Sequence, residues 1–494
     1  MYEPTWESVA THPLPAWYDD AKLGILLHWG LYSVPGWAPQ VPNIQELLRT
    51  DGPRAMLWNN PYAEWYLNSM QLPGSPTQRH HVDTYGPDFK YEDFLPEFEA
   101  GSVSADFDEL AGVCRDAGAR YVVLTTKHHD GFTLWPSALA HPSMGHYHPS
   151  RDIVADVSAA IRAHGMRMGL YYSGGYDWPF NSAVLSNPAD AVLATPTGPE
   201  YVEYATGHVR ELIERYSPSV LWNDVCWPGG GNLAAIFSDY YNTVPDGVIN
   251  DRWLESAAAR SSVGEVLAHG AGSLIQALWR FIPADQKSLT FPSAHHFDFT
   301  TPEYAQFDQI MVKKWESTRG VGHSFGANRN ERPEDIVTTT DLVRAFADIV
   351  SKNGNLLIGI GPTPSGTIPE EQIKPLRGLG QWLAINGEAI YGTRPWLIAA
   401  TTTSEGTGVR FTQKNGEVFA LLIDQPGTRE FTLRDVDASA LTAVRLLGVD
   451  EQLTWRVDDG VLSVTLPERV PVSAALVLSL GQGLRSAQGS PSNP

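Results

Sequence analysis

Two cysteines, Cys114 and Cys226, are all that the 494-residue chain contains. That excludes a disulfide framework of the kind small secreted domains rely on. Positive charge is also scarce. The 35 Lys and Arg stand against 56 Asp and Glu, a formal charge of −21. Nucleic acids and anionic membranes are bound through basic patches, so neither is an expected partner. No uninterrupted apolar run is long enough to span a bilayer. The first residues, MYEPTWESVATHPLPAWYDD, are acidic and carry no apolar signal-peptide core, so a cytoplasmic location is expected. No GxGxxG follows a first strand, and neither a P-loop nor an HExxH is present. Nucleotide binding and the common zinc sites therefore have no support.

Aromatic residues, by contrast, are abundant: 11% of the chain, with 16 Trp. Five segments place an aromatic or ionisable cluster directly after an apolar run. They are LGILLHWG at 23–30, YVVLTTKHHDGF at 121–132, MGLYYS at 168–173, SVLWND at 219–224 and VINDRW at 248–253. A parallel barrel presents its strands in this way, with functional residues at their C-terminal ends. His, Trp, Tyr, Asp and Arg are the types delivered there, and they suit a carbohydrate pocket.

Amphipathic stretches over 107–117, 153–164, 201–216, 333–351 and 369–385 alternate with these runs and predict helices, with Pro333 and Pro369 at helix starts. LLIGIGP at 356–362 reads as the last barrel strand. The expected fold is α/β: a (β/α) TIM-like barrel over 1–390, followed by a C-terminal antiparallel β-sandwich over 391–481. The sandwich rests on short strands at 409–412, 418–423, 430–433, 443–447, 453–457, 462–466 and 474–480. Asn415-Gly416 and Asp459-Gly460 are hairpin turn signals between them. Residues 482–494 are Gly/Ser/Pro-rich and read as a disordered tail. The stretch 254–295 fits neither pattern and reads as an insertion on the active face. Its Trp279 and Phe281 are candidates to flank a leaving-group sugar; a flap packed on the barrel or on a neighbouring subunit is the plainer reading, which makes a homo-oligomer possible.

Asp224 ends an apolar run beside Trp222, where a carboxylate suits the nucleophile of a glycosidase; a loop-capping Asp would look the same. Glycoside cleavage needs a second carboxylate, for which Glu303 in DFTTPEY and Glu316 in KKWES are candidates. Thr301-Pro302-Glu303 equally resembles a helix start. His128-His129 suit a ligand, a core or a metal, and the pairs His80-His81 and His295-His296 keep a metal-dependent hydrolase in view. His28-Trp29 suit hydrogen bonding and stacking on a sugar, or a core pair. Arg252 suits a carboxylate, a sugar hydroxyl or a structural salt bridge. Cys226 reads as packing.

In order along the chain, LGILLHWGLYSVPGW, VLTTKHHDGFTLWPS, VLWNDVCWP, INDRW, HSFGANRNE and NGNLLIGIGPTPSGTIP resemble blocks of the α-L-fucosidases of glycoside hydrolase family 29. They cover nearly the whole barrel, and LTTKHHDGF is highly specific. INGEAIYGTRPW resembles the family's junction into its sandwich. The resemblance implies a retaining exo-glycosidase, without metal or cofactor, that removes α-L-fucose from fucosylated oligosaccharides or glycosides. The family's nucleophile matches Asp224 and its acid/base matches Glu303, with Glu316 as runner-up. Fucose-holding residues match His28, Glu64 in YAEWY, His128, His129, Tyr171, Trp222 and Arg252. Trp58 and Phe325 match apolar pocket walls. A fucose-binding module that has lost catalysis is the alternative, opposed by the presence of both candidate carboxylates. The chain departs from the family at the 254–295 insertion, and at Ala327, where Tyr is usual and whose small side chain is expected to open the pocket rim.

Overall fold

The computed structural model describes residues 1–256, 262–283, 293–470 and 472–487. Seven parallel strands form one sheet: β1 (Leu23–Leu27), β2 (Tyr121–Lys127), β3 (Arg167–Ser173), β4 (Val220–Asp224), β5 (Val248–Ile249), β6 (Trp315–Gly320) and β7 (Gly354–Ile360), in the order β5-β4-β3-β2-β1-β7-β6. Every residue of β1, β2 and β7 is buried, as expected of strands covered on both faces. Gly24 on β1 faces Tyr121 so closely that a Cβ there would lie 2.4 Å from its ring.

The two edges of this sheet are joined by residues 298–304, which form bridges rather than a regular strand. Asp298 N donates to Ile249 O at 2.9 Å, Glu316 N to Thr300 O at 2.8 Å, and Tyr304 N to Thr318 O at 3.0 Å. Parallel bridges pair Asn250 with Phe299, Thr300 with Trp315 and Glu303 with Thr318. The barrel is closed by this segment, and Glu303 lies on it. The Thr301-Pro302-Glu303 stretch is therefore extended, not the start of a helix.

Helices cover the outside. Asp106 caps Phe107–Asp116 through Asp108 N and Glu109 N, and Asp152 caps Ile153–Ala163 through Ala155 N. The helix expected from 333 is a short turn at Pro333–Asp335, and the helix proper is Thr339–Ser351. Thr338 supplies its N-terminal cap by accepting from Asp341 N.

Within the 254–295 stretch, Ser262–Leu278 is helical and ends in a turn at Trp279–Phe281. Residues 257–261 and 284–292 lie outside the described residues. Gln276 accepts from Arg54 N at 2.8 Å, Trp279 Nε1 donates to Leu48 O at 2.7 Å, and His269 meets Asp190 at 2.7 Å. The helix thus straps the Ile44–Asp51 helix to the loop at 186–190. Trp279 is turned onto that helix and Phe281 is exposed.

After Arg394 all pairing in the two larger sheets is antiparallel. One sheet has five strands, in the order Arg445–Leu446, Leu476–Ser479, Glu417–Leu422, Gly408–Lys414 and Arg394–Thr402, and the other has three. Asn415-Gly416 and Asp459-Gly460 both have positive φ, as their turns require. The expected disordered tail from 482 needs correction: Arg485–Ser486 pairs with Val436–Asp437, and 488–494 lie outside the described residues. The sandwich docks on barrel helices. Trp382, on the Glu370–Asn386 helix, is buried and donates from Nε1 to Ala475 O at 2.9 Å. Trp382→Ala is expected to cost about 3–5 kcal/mol at this junction. Circular dichroism on heating should show its first unfolding transition well below that of the parent; an unchanged transition would contradict the junction's role.

Candidate active site

The ends of β1 to β4, with the loops around them, enclose a cavity of about 150 Å³. Asp224 is the last residue of β4, so its carboxyl is delivered to the cavity by the strand itself. It accepts from Tyr171 Oη at 2.6 Å, from Arg252 Nη1 at 2.8 Å and from its neighbour's backbone, Val225 N, at 2.8 Å. Val225 has φ +69°, a conformation β-branched residues rarely adopt. The turn after the strand thereby aims an amide back at the carboxylate. His129 Nε2 lies 3.9 Å away.

Arg252 is three residues beyond β5 and almost wholly buried. One Nη donates to Asp224 and the other to Glu303 at 2.9 Å. Its Nε donates to Thr301 Oγ1 at 3.0 Å, and Nη2 donates to Thr301 O at 2.9 Å. Asp251 in turn fixes Thr301, accepting from its N at 3.0 Å and its Oγ1 at 2.8 Å. The guanidinium also lies over the Trp222 ring, 4.8 Å from its centre. Glu303 accepts in addition from Tyr62 Oη at 3.4 Å. One rigid cation thus holds two carboxylates carried by different parts of the barrel.

Burial alone would raise the Asp224 pKa. Arg252, His129 and the Tyr171 hydroxyl outweigh it, and the carboxyl is held below its ordinary value. Burial works the other way on the imidazoles: His28 is pushed down to about 3, His129 to about 4, and His128 well below its ordinary value. All three rings are neutral at pH 7, when each can offer one donor and one acceptor. His28 Nδ1, His128 Nδ1, Asn60 Nδ2 and Thr318 Oγ1 are buried without a hydrogen-bond partner, and all four residues line the cavity. Unmet polar groups on residues that line a cavity are suited to a hydroxylated ligand. Phe325, Leu57, Met56 and Leu185 supply an apolar wall.

Of the residues singled out in the sequence, the cavity brings together His28, Glu64, His128, His129, Tyr171, Trp222, Asp224, Arg252, Glu303 and Phe325. Trp58 is not among its lining residues. Its ring lies under Arg54, and Nε1 points to Pro73 O at 3.4 Å. Trp65 stands in the wall instead, edge-on to His129 at 5.5 Å. Glu316 is fully buried below the cavity, where it accepts from Tyr18 Oη, Tyr121 Oη and Trp222 Nε1. Ala327 is buried and does not line the cavity, so its small side chain does not open this rim. His80 stacks on Trp37, and His81 is bonded to Tyr66 Oη and Phe89 O. His295 packs on Trp6 and His296 on Tyr241, so the pairs do not converge with His128-His129. Among the described residues no three His, Cys, Asp or Glu side chains are set to hold a metal ion. Sequence reasoning missed Tyr62, Asn60 and Trp65. The available signal was the aromatic cluster around Glu64.

The turn carrying Phe325 is held from both sides by carboxyl groups. Glu64 accepts from Ser324 Oγ at 3.1 Å and Gly326 N at 2.8 Å, and Glu331 accepts from His323 N and Ser324 N. Burial pushes both up to about 7. Each therefore stays protonated in the folded chain where the unfolded chain has already ionised it. That stabilisation is complete below the ordinary value of 4.5 and is lost as pH rises to about 7. Glu331→Gln removes one of these titrations and keeps an oxygen for the two amides. Melting temperatures between about pH 5 and about pH 8 should fall less steeply in this variant than in the parent; parallel curves would contradict the assignment.

Comparison with known proteins agrees with this geometry. The family profile described as "Alpha-L-fucosidase" matches residues 1–388, and "Alpha-L-fucosidase C-terminal domain" matches 402–481. The alpha-L-fucosidase of Dictyostelium discoideum is 31% identical over 455 residues, covering 91% of this chain and 86% of its own. Human tissue alpha-L-fucosidase is 30% identical over 486 residues, covering 95% and 89%. Among solved structures, a Thermotoga maritima alpha-L-fucosynthase in complex with alpha-L-Fuc-(1-2)-beta-L-Fuc-N3 is 39% identical, with TM-score 0.83 and coverage of 97% of this chain and 99% of that one. The T. maritima alpha-fucosidase in complex with fucose is 38% identical with TM-score 0.80, covering 97% of this chain and 100% of that one. With a profile match across the barrel, relatives along almost its full length and a cavity built around two carboxylates, the chain belongs to the alpha-L-fucosidases, a family of glycoside hydrolases.

Proposed function

We propose that this enzyme removes terminal α-L-fucose from fucosylated glycans or glycosides with retention of configuration, by double displacement. The observation that carries the reading is the shared grip of Arg252 on Asp224 and Glu303 at the cavity wall. A retaining glycosidase needs two carboxyl groups close together on either side of the scissile bond, and a single guanidinium keeps these two close.

Asp224 attacks the anomeric carbon as Glu303 gives its proton to the leaving oxygen. The glycosidic bond breaks, and a β-fucosyl ester forms on Asp224. Glu303, now a carboxylate, takes a proton from water, which attacks the same carbon and releases α-L-fucose and free Asp224. The lowered pKa of Asp224 keeps it ionised for the first step. As the ester forms, its negative charge disappears, and Arg252 is left with Glu303 as its remaining anionic partner. In this reading His28, His128 and His129 meet sugar hydroxyls and Phe325 meets the C5 methyl edge; the unpartnered Nδ1 atoms of His28 and His128 and the apolar wall at Phe325 support it.

The stereochemistry is testable by NMR during turnover. α-L-Fucose is expected first, with the β-anomer growing in later by mutarotation; early β-anomer would rule out double displacement. The two carboxylates separate by substitution. Asp224→Gly should abolish turnover of all fucosides, with azide entering the vacated face to give β-fucosyl azide. Glu303→Ala should lose about 10²–10⁴-fold on substrates with poor leaving groups, spare activated aryl fucosides, and give α-fucosyl azide. If Glu316→Ala shows that second pattern and Glu303→Ala does not, the acid/base assignment is wrong.

A further inference from the structure

We infer that Glu316 is a positioning residue for hydrolysis, acting through Trp222 on the cluster formed by Asp224, Arg252 and Glu303; the inference rests on the roles just proposed for the two carboxylates. Glu316 lies on β6 with no exposed surface, below the cavity and outside its lining. A carboxyl so placed is expensive to bury unless its oxygens are fully hydrogen-bonded. Three donors meet it: Tyr18 Oη at 2.8 Å, Tyr121 Oη, and Trp222 Nε1 at 3.2 Å. The two tyrosines lead away from the cavity, and only Trp222 leads into it.

Trp222 is the common support of the groups that hold the reacting carboxylates. Its ring stacks on Tyr171 at 5.3 Å and 18°, and the Tyr171 hydroxyl donates to Asp224. The Arg252 guanidinium, which reaches both Asp224 and Glu303, lies over the same ring. Both side chains that hydrogen-bond to Asp224 therefore rest on one indole. Rotation of that indole would strand its N–H and an oxygen of Glu316 without partners in the interior. Glu316 thus fixes the plane on which Tyr171 and Arg252 are stacked. A purely apolar residue would fill the same space without setting an orientation.

The test is a double-variant cycle on an activated aryl α-L-fucoside, with the fraction of competent sites measured by calorimetric titration with a fucose-like competitive inhibitor. Glu316→Leu is expected to lower kcat per competent site by about ten- to a hundredfold, the scale of a small misplacement of reacting groups. Its KM should change little. The acid limb of its pH profile should move to higher pH, because Asp224 loses well-placed donors. Trp222→Phe, which removes the indole N–H, should show the same shift, and the double variant should be no slower than the slower single. Glu316→Gln, which can still accept from Trp222, should be much less impaired than Glu316→Leu. Losses that multiply in the double variant would overturn the inference, as would a loss wholly explained by fewer competent sites. If Glu316→Leu does not fold, Glu316→Gln, Trp222→Phe and their combination carry the same non-additivity test. Azide rescue to an α-fucosyl azide by a Glu316 variant would overturn both this inference and the Glu303 assignment. A parent enzyme that fails to cleave any α-L-fucoside would instead sink the reaction itself.

Discussion

The buried guanidinium of Arg252 is the constraint on which the rest of the site depends. A cation in a low-dielectric interior is costly unless paired, and removal of one member of such a pair is costly again. Here the cation faces two carboxyl groups, and all three groups are stationed by separate elements: Asp224 by β4, Glu303 by the closing segment, Arg252 by the residues after β5. Their mutual attraction ties three parts of the barrel rim together. It also sets the character of what surrounds them. The cluster sets one cation between two carboxyl groups, and the imidazoles beside it are held neutral by burial rather than adding further charge. The site is thus strongly polar at one locus and electrically quiet elsewhere, which suits a neutral sugar reacting at a single carbon.

A second layer keeps the neutral groups in place. His129 is walled by Trp65, Tyr176 and Trp178, with ring centres 5.1–5.5 Å from its own. Its Nδ1 meets Ser173 Oγ at 2.7 Å, which leaves Nε2 toward Asp224. Beneath it, Lys127 and Asp177 form a fully buried ion pair at 2.8 Å, and Trp178 N donates to His129 O. The KHHD run thus divides its work. Lys127 anchors the loop that bears the aromatic wall, and the two histidines face the cavity.

Much of this could be read from the sequence because strands and chemistry coincide. An apolar run that ends in HHD or WND is a local pattern, and local patterns survive without knowledge of tertiary contacts. What was hidden depends on long-range pairing. The segment bearing Glu303 has the residues of a helix start, and only its bridges to Asn250, Trp315 and Thr318 make it extended. Whether Trp58 or Trp65 lines the cavity depends on the turn at Ala63–Trp65, which residue spacing does not reveal. Trp279 looked like a stacking platform because aromatic content says nothing of direction; its indole N–H is taken by Leu48 O. Glu316 differs from Glu303 in depth within the barrel, a property of strand register that composition cannot report. Arg485–Ser486 joins a strand despite the Gly- and Ser-rich residues around it because Val436–Asp437 offers an open edge.

The closure of the barrel by a bridged segment has a consequence for how such enzymes diversify. Arg252 is placed by its position just after β5, and Glu303 by backbone bonds that begin at Asp298 and end at Tyr304. The connection between these two anchors tolerates changes of length, since closure entropy rises by only about 0.6 kcal/mol for each doubling of loop length. The seam of the barrel is therefore a place where evolution can exchange whole structural elements, the strap helix among them, without displacing Arg252 or Glu303. Variation in what surrounds the mouth of the pocket is decoupled from the chemistry within it.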